Sequence, residues 1–426
     1  MTDTGISFDL ADLADRVAAS VNPQRYLRLQ RALATFGGRE DGGVERQALT
    51  EVETRARQWL MAQVKGHRYR WLYDDAGNLF LRRDGREGQL APVMTGSHMD
   101  TQPVGGWLDG AYGVIAGLEV MLALDDAGLD TRFPLELAIW NNEEGSRFGP
   151  GAMGSSAFAD PSRLPAFMSS VDADGVLFSD ALQRMFDAVQ TAGHVPLGRP
   201  VSAYIEAHIE QGPVLEAAGS TLGVVTGIQG VRWFEVLVTG SSAHAGTTPL
   251  DVRQDAVLAA ATLLRRIADA ALALGDDRLR VTSGRFEVKS PSINTVADRV
   301  LFTIDLRHPE EAVLDAFEAQ IRSIVGSGAA PCAGEVSCIM RKPPTPFHPH
   351  VVALVEQASN RSGELYQRIG SGAFHDAMYL ADRCPTGMLF VPSIKGVSHN
   401  VAEDTKEEHL VAGVRVLAAT LYSLAR

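Results

Sequence analysis

Between Thr95 and Gly110, the segment "TGSHMDTQPVGGWLDG" collects His98, Asp100 and Asp109 where an apolar run ends in glycines. His98 and Asp100 are two residues apart, so on an extended strand end they point to one side, and the aspartate can hold the far imidazole nitrogen. Asp109 follows a glycine turn. Imidazole and carboxylate together suit zinc, manganese or cobalt, although a glycine-rich turn with a capping aspartate accounts for the same residues. Further along, "NNEEG" sets Glu143 beside Glu144 directly after the apolar "PLELAIW". Adjacent carboxylates repel unless a cation is near, and neighbouring side chains diverge, so one can ligate while the other faces substrate. A solvated loop pair is the plainer alternative. "EAHIEQGP" adds His208 and "GVSHN" adds His399, each after another short apolar run and each equally at home as a structural histidine. Four strand ends that all carry His, Asp or Glu are easier to explain as one site than as four coincidences.

The elements that must carry these residues are legible from periodicity. "DLADLADRVAAS" and "TRARQWLMAQV" have helical spacing; "RYRWLYD", "GNLFLRR", "APVMTGS" and "PLELAIW" read as strands. After Asp109, Val114, Ile115, Leu118, Met121 and Leu122 follow the i, i+3, i+4 rule of a helix. This alternation predicts an α/β domain. From residue 229 the pattern changes to strand "VRWFEVLVTG", a long helix, strands "LRVTSGRFEV" and "RVLFTIDLR", helix "EEAVLDAFEAQIRSIV" and strand "GEVSCIMR", a ferredoxin-like β-α-β-β-α-β order. The proline-rich "RKPPTPFHP" reads as a stiff hinge, after which helix and strand alternate again, with "PTGMLFVPS" a strand running into "IKGVSHN". The expected organisation is a catalytic domain over 1–228 and 344–426, interrupted by an inserted α+β domain over 229–343.

Composition narrows the partners. Of 426 residues, 45% are hydrophobic, and 39 basic against 52 acidic side chains leave a net charge of −13, which disfavours nucleic acid and anionic membrane and leaves a small molecule. The lack of a long apolar run or charged leader implies a cytoplasmic protein. Cys332, Cys338 and Cys384 form no paired spacing, which argues for reduced thiols. "GPGAMG" matches a dinucleotide fingerprint only literally, since no strand leads into it, and neither G-x-S-x-G nor a P-loop lysine is found. His244 in "SSAHAGTTP", Asn294 in "INTVAD" and Arg307 in "DLRHP" read, by themselves, as ordinary surface and ion-paired residues.

Taken together with "SGAFHDA" and "GVSHNVAEDT", these segments resemble the N-carbamoyl-L-amino-acid hydrolase, β-ureidopropionase and allantoate amidohydrolase family, two-metal aminoacylase-like amidohydrolases. The likeness runs in order from about residue 25 to the C-terminus. It implies a homodimer built through the inserted lid domain and two divalent ions per subunit, zinc or manganese, with cobalt and nickel also admissible. One ion would be held by His98 and His208, the other by Glu144 and His399, with Asp109 as bridge and Asp100 behind the ligands. Glu143 becomes the general base, and His244 an oxyanion stabiliser. Arg307 becomes the clamp on the substrate carboxylate, Asn294 and Gln211 polar substrate contacts, and Ser371 and Gly372 part of the pocket wall. In relatives, His244, Asn294 and Arg307 reach the neighbouring subunit's site.

The implied reaction is hydrolysis of the ureido C–N bond of N-carbamoyl-L-amino acids or N-carbamoyl-β-alanine. Allantoate or ureidoglycolate is the first alternative, and an N-acyl amino acid or peptide the second. Two departures bear on the pocket: Phe374 stands where relatives usually carry glycine, and Lys395 adds a cation near His399. "GVRWFEV" lacks the further basic residue associated with allantoate-type members near Arg232.

Overall fold

The computed structural model describes residues 10–190, 193–289 and 292–426, and Asp9, the first residue of the expected opening helix, lies outside them. The chain divides into two compact units, one running to Thr226 and resuming at Pro346, the other Gly227–Thr345. These breaks differ by two residues at each end from the sequence boundaries, because Gly227 and Ile228, and Pro344 and Thr345, are counted with the second unit.

The first unit is built on a ten-stranded mixed sheet. Its four central neighbours are Leu135–Trp140, Val93–His98, Ala203–Ile209 and Thr386–Val391, in that spatial order and mutually parallel. Every residue of these four strands is buried, which is why they read as continuous apolar runs rather than alternating ones. Antiparallel strands Leu79–Arg83 and Tyr69–Tyr73 extend one side, and Leu222–Ile228 extends the other. Helix Ala111–Ala127 packs on the sheet beside helix Glu407–Leu424, which also meets the sheet, and is buried along almost its whole length. Such a helix is apolar on all sides, as "AYGVIAGLEVMLAL" is.

In the second unit the strand order is Arg280–Thr282, Arg299–His308, Gly230–Thr239, Ala333–Lys342, all antiparallel, with Phe286–Val288 also on Arg299–His308. Helices Ala256–Leu274 and Glu311–Gly328 cover one face, closing a core of Phe234, Val236, Leu263, Phe302, Ile304 and Ile321. The single strand expected over "LRVTSGRFEV" is in fact two three-residue strands separated at Ser283–Arg285, where Gly284 offers no side chain to pack. Arg232 is buried and bound by Glu318 at 2.8 Å, Asp315 at 2.7 Å and Glu311 at 2.5 Å. Among the described residues no helix is long and apolar enough to cross a membrane. All three cysteines are free; Cys332 and Cys384 are buried and Cys338 is exposed.

Candidate active site

Parallel strands present their C-terminal ends on one edge, and the four central strands place the acids and histidines there. His98 is the last residue of Val93–His98 and lies opposite Trp140, so Glu143 and Glu144 emerge beside it. His208, next to last in Ala203–Ile209, lies opposite Phe390 of the strand that leads to His399.

Asp109 is the common member of two clusters. Its Oδ1 is 3.2 Å from His208 Nε2 and 3.8 Å from His98 Nε2, while its Oδ2 is 3.2 Å from His399 Nε2, itself 3.4 Å from Glu144 Oε2. The groups His98–Asp109–His208 and Asp109–Glu144–His399 each have the spacing of a metal site, with one carboxylate oxygen facing each. Glu143 Oε2 lies 3.5 Å from His98 Nε2. His399 is half exposed whereas His98 and His208 are buried, so water reaches the pair from the His399 side.

Several contacts hold this arrangement. The Nδ1 of His98 is bonded by the backbone carbonyl of Asp100 at 2.9 Å, not by its carboxylate, which is 3.8 Å away. This corrects the expected role of the Asp100 side chain: the strand stops at His98, so Asp100 leaves the two-residue alternation. Its carboxylate instead accepts the N–H groups of Glu143 at 3.2 Å and Glu144 at 3.1 Å, orienting the acidic loop. That loop is further locked by Asn142, whose φ is +53° and whose amide donates to Phe148 O at 2.8 Å. Buried Arg46 donates to Met99 O at 2.8 Å, between His98 and Asp100. Non-glycine residues at positive φ include Asn142, Gln211 and His399, all at this edge. Such conformations persist where surrounding structure over-determines them, often at functional sites.

Electrostatically the site has too many acids. Burial raises Glu143 well above the usual carboxylate range, and Asp376, Glu144, Asp100 and Asp109 add to it. Burial and then Asp109 push Glu144 up to about 8. Burial would raise Asp109 too, but hydrogen bonds to His208 and His399 hold it well below its usual range. Burial opposes a cation at His208, yet its bond to Asp109 and that residue's charge lift it to about 9; the bond to Asp109 lifts His399 to about 9. Imidazoles that cling to protons around buried carboxylates mark a place where divalent cations fit, and the N/O donor set matches zinc, manganese, cobalt or nickel.

The remaining expected residues divide between the units. Gln211 sits in the site: its amide donates to Asp109 Oδ2 at 3.0 Å and Ser398 Oγ at 3.1 Å. Ser371 is buried, and its hydroxyl is engaged within its own loop by Ala373 O at 3.0 Å and His375 Nε2 at 2.9 Å; Gly372 follows it at the strand end. Phe374 packs edge-on against Tyr379 with ring centres 5.9 Å apart. Lys395 belongs to the turn before His399, and its N–H donates to Glu216. His244, Asn294 and Arg307 belong to the second unit. There a two-stranded pairing sets His244 opposite Thr295 and joins Ala245 N–H to Asn294 O at 2.9 Å. The Arg307 guanidinium is paired with Asp305, two residues earlier on the same strand face, at 2.8 Å.

Sequence reasoning passed over several residues that the fold brings in. Gln102 donates to Glu144 Oε2 at 2.7 Å, and the His375 ring meets the His208 ring edge-on at 4.5 Å. Glu206 accepts from Ser97 Oγ at 2.7 Å and Ala377 N at 3.0 Å. Gln102 and Glu206 lie four and two residues from the candidate ligands His98 and His208, but nothing in their types distinguishes them from ordinary polar neighbours.

Residues 94–423 match the peptidase family M20/M25/M40. Over 402 residues the chain is 35% identical to the N-carbamoyl-L-amino-acid amidohydrolase of Rhizobium meliloti, covering 93% of this chain and 95% of the relative. It is 34% identical to the allantoate amidohydrolase of Escherichia coli, with 92% and 96% covered. Among solved structures, a hydantoinase/carbamoylase family amidase from Burkholderia multivorans superposes with a TM-score of 0.87 at 41% identity, covering 95% of this chain and 98% of that one.

Proposed function

This chain belongs to the peptidase family M20/M25/M40, and we propose that within it the protein is a metal-dependent amidohydrolase that cleaves the ureido C–N bond of N-carbamoyl-L-amino acids or N-carbamoyl-β-alanine. The observation that carries this reading is the Asp109 carboxylate, whose two oxygens face two separate His/carboxylate clusters. In this reading His98, His208 and Asp109 would hold one ion, and Asp109, Glu144 and His399 a second. Two bound ions would supply Lewis acidity and lower the pKa of water.

The protein's own groups do the rest. Glu143, in neither cluster, takes the proton from the attacking water and returns it to the leaving nitrogen, a contribution of roughly 10²–10⁴-fold. Water attacks the ureido carbonyl carbon and one C–N bond breaks, releasing ammonia and leaving the carbamic acid R–NH–COOH; this loses carbon dioxide as the second C–N bond breaks, so R–NH–CO–NH2 and water become R–NH2, carbon dioxide and ammonia. Gln211 donates to Asp109 in this structure, and by the family resemblance it is a polar contact for the substrate as well. By the family resemblance, His244 stabilises the developing oxyanion, Asn294 contacts the substrate and Arg307 clamps its carboxylate, supplied by the inserted domain of a second copy in a homodimer. Arg307 must then exchange Asp305 for substrate, a swap that a planar two-point fork can make on equal terms.

Ammonia release from metal-reconstituted protein tests the proposal across L- and D-carbamoyl amino acids, N-carbamoyl-β-alanine, allantoate, ureidoglycolate and N-acetyl amino acids. The carbamoyl amino acids should lead in kcat/KM. Arg232 is bound by Glu318, Glu311 and Asp315, and Arg341 on the adjacent strand shares the same three carboxylates, so both guanidinium groups are already paired. A clear lead for allantoate would move the enzyme to that substrate, and activity on acetyl compounds alone would refute the ureido assignment.

A further inference from the structure

Glu403 lies in the loop between the turn Ile394–Gly396 and helix Glu407–Leu424 and is 2% exposed, yet the proposed reaction gives it no task. One of its oxygens, Oε1, accepts both the Leu108 and the Asp109 N–H, each at 3.0 Å. The other, Oε2, accepts Ser398 Oγ–H at 2.8 Å. The same Ser398 oxygen accepts the Gln211 amide at 3.1 Å, and that amide also reaches Asp109 Oδ2 at 3.0 Å. Two loops 289 residues apart in sequence, one carrying Asp109 and the other His399, are thus tied to one carboxylate. The fit is close on the far side as well: a Cβ on Gly106 would fall 2.1 Å from Glu403 Oε1, so only glycine lets the carboxylate seat there.

We propose that Glu403 is a positioning residue: it sets the reach between the bridging carboxylate of Asp109 and the imidazole of His399, and through them the affinity of both metal positions. The inference rests on the metal reading of the site. Its chemistry is hydrogen bonding. In Glu403→Gln, the amide oxygen still accepts the two N–H groups and the amide nitrogen donates to Ser398, whose hydroxyl then turns toward Asp109. Glu403→Ala leaves both N–H groups and the hydroxyl without that partner, while Ser398→Ala cuts the arm to the His399 loop and its contacts to Gln211 and Asp109 Oδ2, on the His399 side, but leaves Glu403 on the Leu108 and Asp109 N–H groups.

Titration of the metal-free full-length protein with zinc against a chromophoric chelator tests this, with His98→Ala and His399→Ala marking which affinity belongs to which cluster. Expected outcomes are two sites in the wild type and near-wild-type affinities in Glu403→Gln. Glu403→Ala should weaken both by about 10–100-fold, since Asp109 is shared, whereas Ser398→Ala weakens only the site containing His399. Wild-type affinities in Glu403→Ala would overturn the inference and leave the metal reading standing. So would losses in Glu403→Gln as large as in Glu403→Ala. Should the alanine variant not fold, an unchanged His399-side affinity in Ser398→Ala overturns it equally. Wild-type protein that takes up no zinc would overturn both.

Discussion

Gly110 follows Asp109 with φ +64° and ψ −45°, and a Cβ there would meet Cδ2, Cε1 and Nε2 of the His98 ring, each at 2.4 Å. Gly110→Ala therefore carries two separable costs. The backbone conformation is poorly populated by L-residues and costs roughly 1–3 kcal/mol, which a domain with about 5–15 kcal/mol of stability can absorb. The clash cannot be absorbed locally. To reach ordinary contact, at roughly 3.5 Å, the imidazole must retreat by about 1 Å, several times the ~0.2 Å tolerance of a metal–ligand distance. Because the cluster is Asp109, His98 and His208, losing the His98 position should empty that site. Turnover should fall by about 10²-fold or more. Gly128→Ala is the control: its φ is +61° and nothing lies within 4 Å of its would-be Cβ, so it bears backbone strain without a clash. The assay is metal per chain by elemental analysis after dialysis, with kcat/KM for ammonia release and a thermal melt. Both variants should melt lower, and only Gly110→Ala should lose metal. Two ions per chain and wild-type kcat/KM in Gly110→Ala would refute the reasoning.

Glu143→Gln should retain both metals and most substrate affinity while turnover drops by roughly 10²–10⁴-fold, whereas Asp109→Ala should lose metal; equal metal contents in the two variants would undo the division of roles. Metal binding should release protons at pH 7.5. In the metal-free site His208 and His399 stay protonated up to about 9 and Glu144 up to about 8, so affinity rises with pH toward 9, seen as binding heats that depend on buffer ionisation enthalpy. Equal heats in phosphate and Tris would contradict this. Finally, co-expressed heterodimers of Glu143→Gln with His244→Ala should regain one working site if His244 acts across the dimer, and verified heterodimers without recovery would return His244 to its own subunit.

What the sequence by itself determined is considerable. Continuous apolar runs ending in His98, Glu143, His208 and the approach to His399 announced buried parallel strands with chemistry at their C-terminal ends, because burial on both faces removes alternation and a parallel sheet gathers its strand ends on one edge. The change of rhythm after residue 229 likewise announced a second unit, since each unit must pattern its own core. Tertiary structure alone decided who touches whom. Whether Asp100 serves His98 or the Glu143–Glu144 backbone depends on where the strand stops, which periodicity reads only to within a residue or two. Glu403 could not be singled out from its letter, because a carboxylate near a loop end is usually solvated. Only the fold shows it sealed under Gly106 and joined to Asp109 and Ser398 from the far end of the chain. Local pattern records which face a residue presents; the partner on that face comes from a segment hundreds of residues away, and packing alone brings it there.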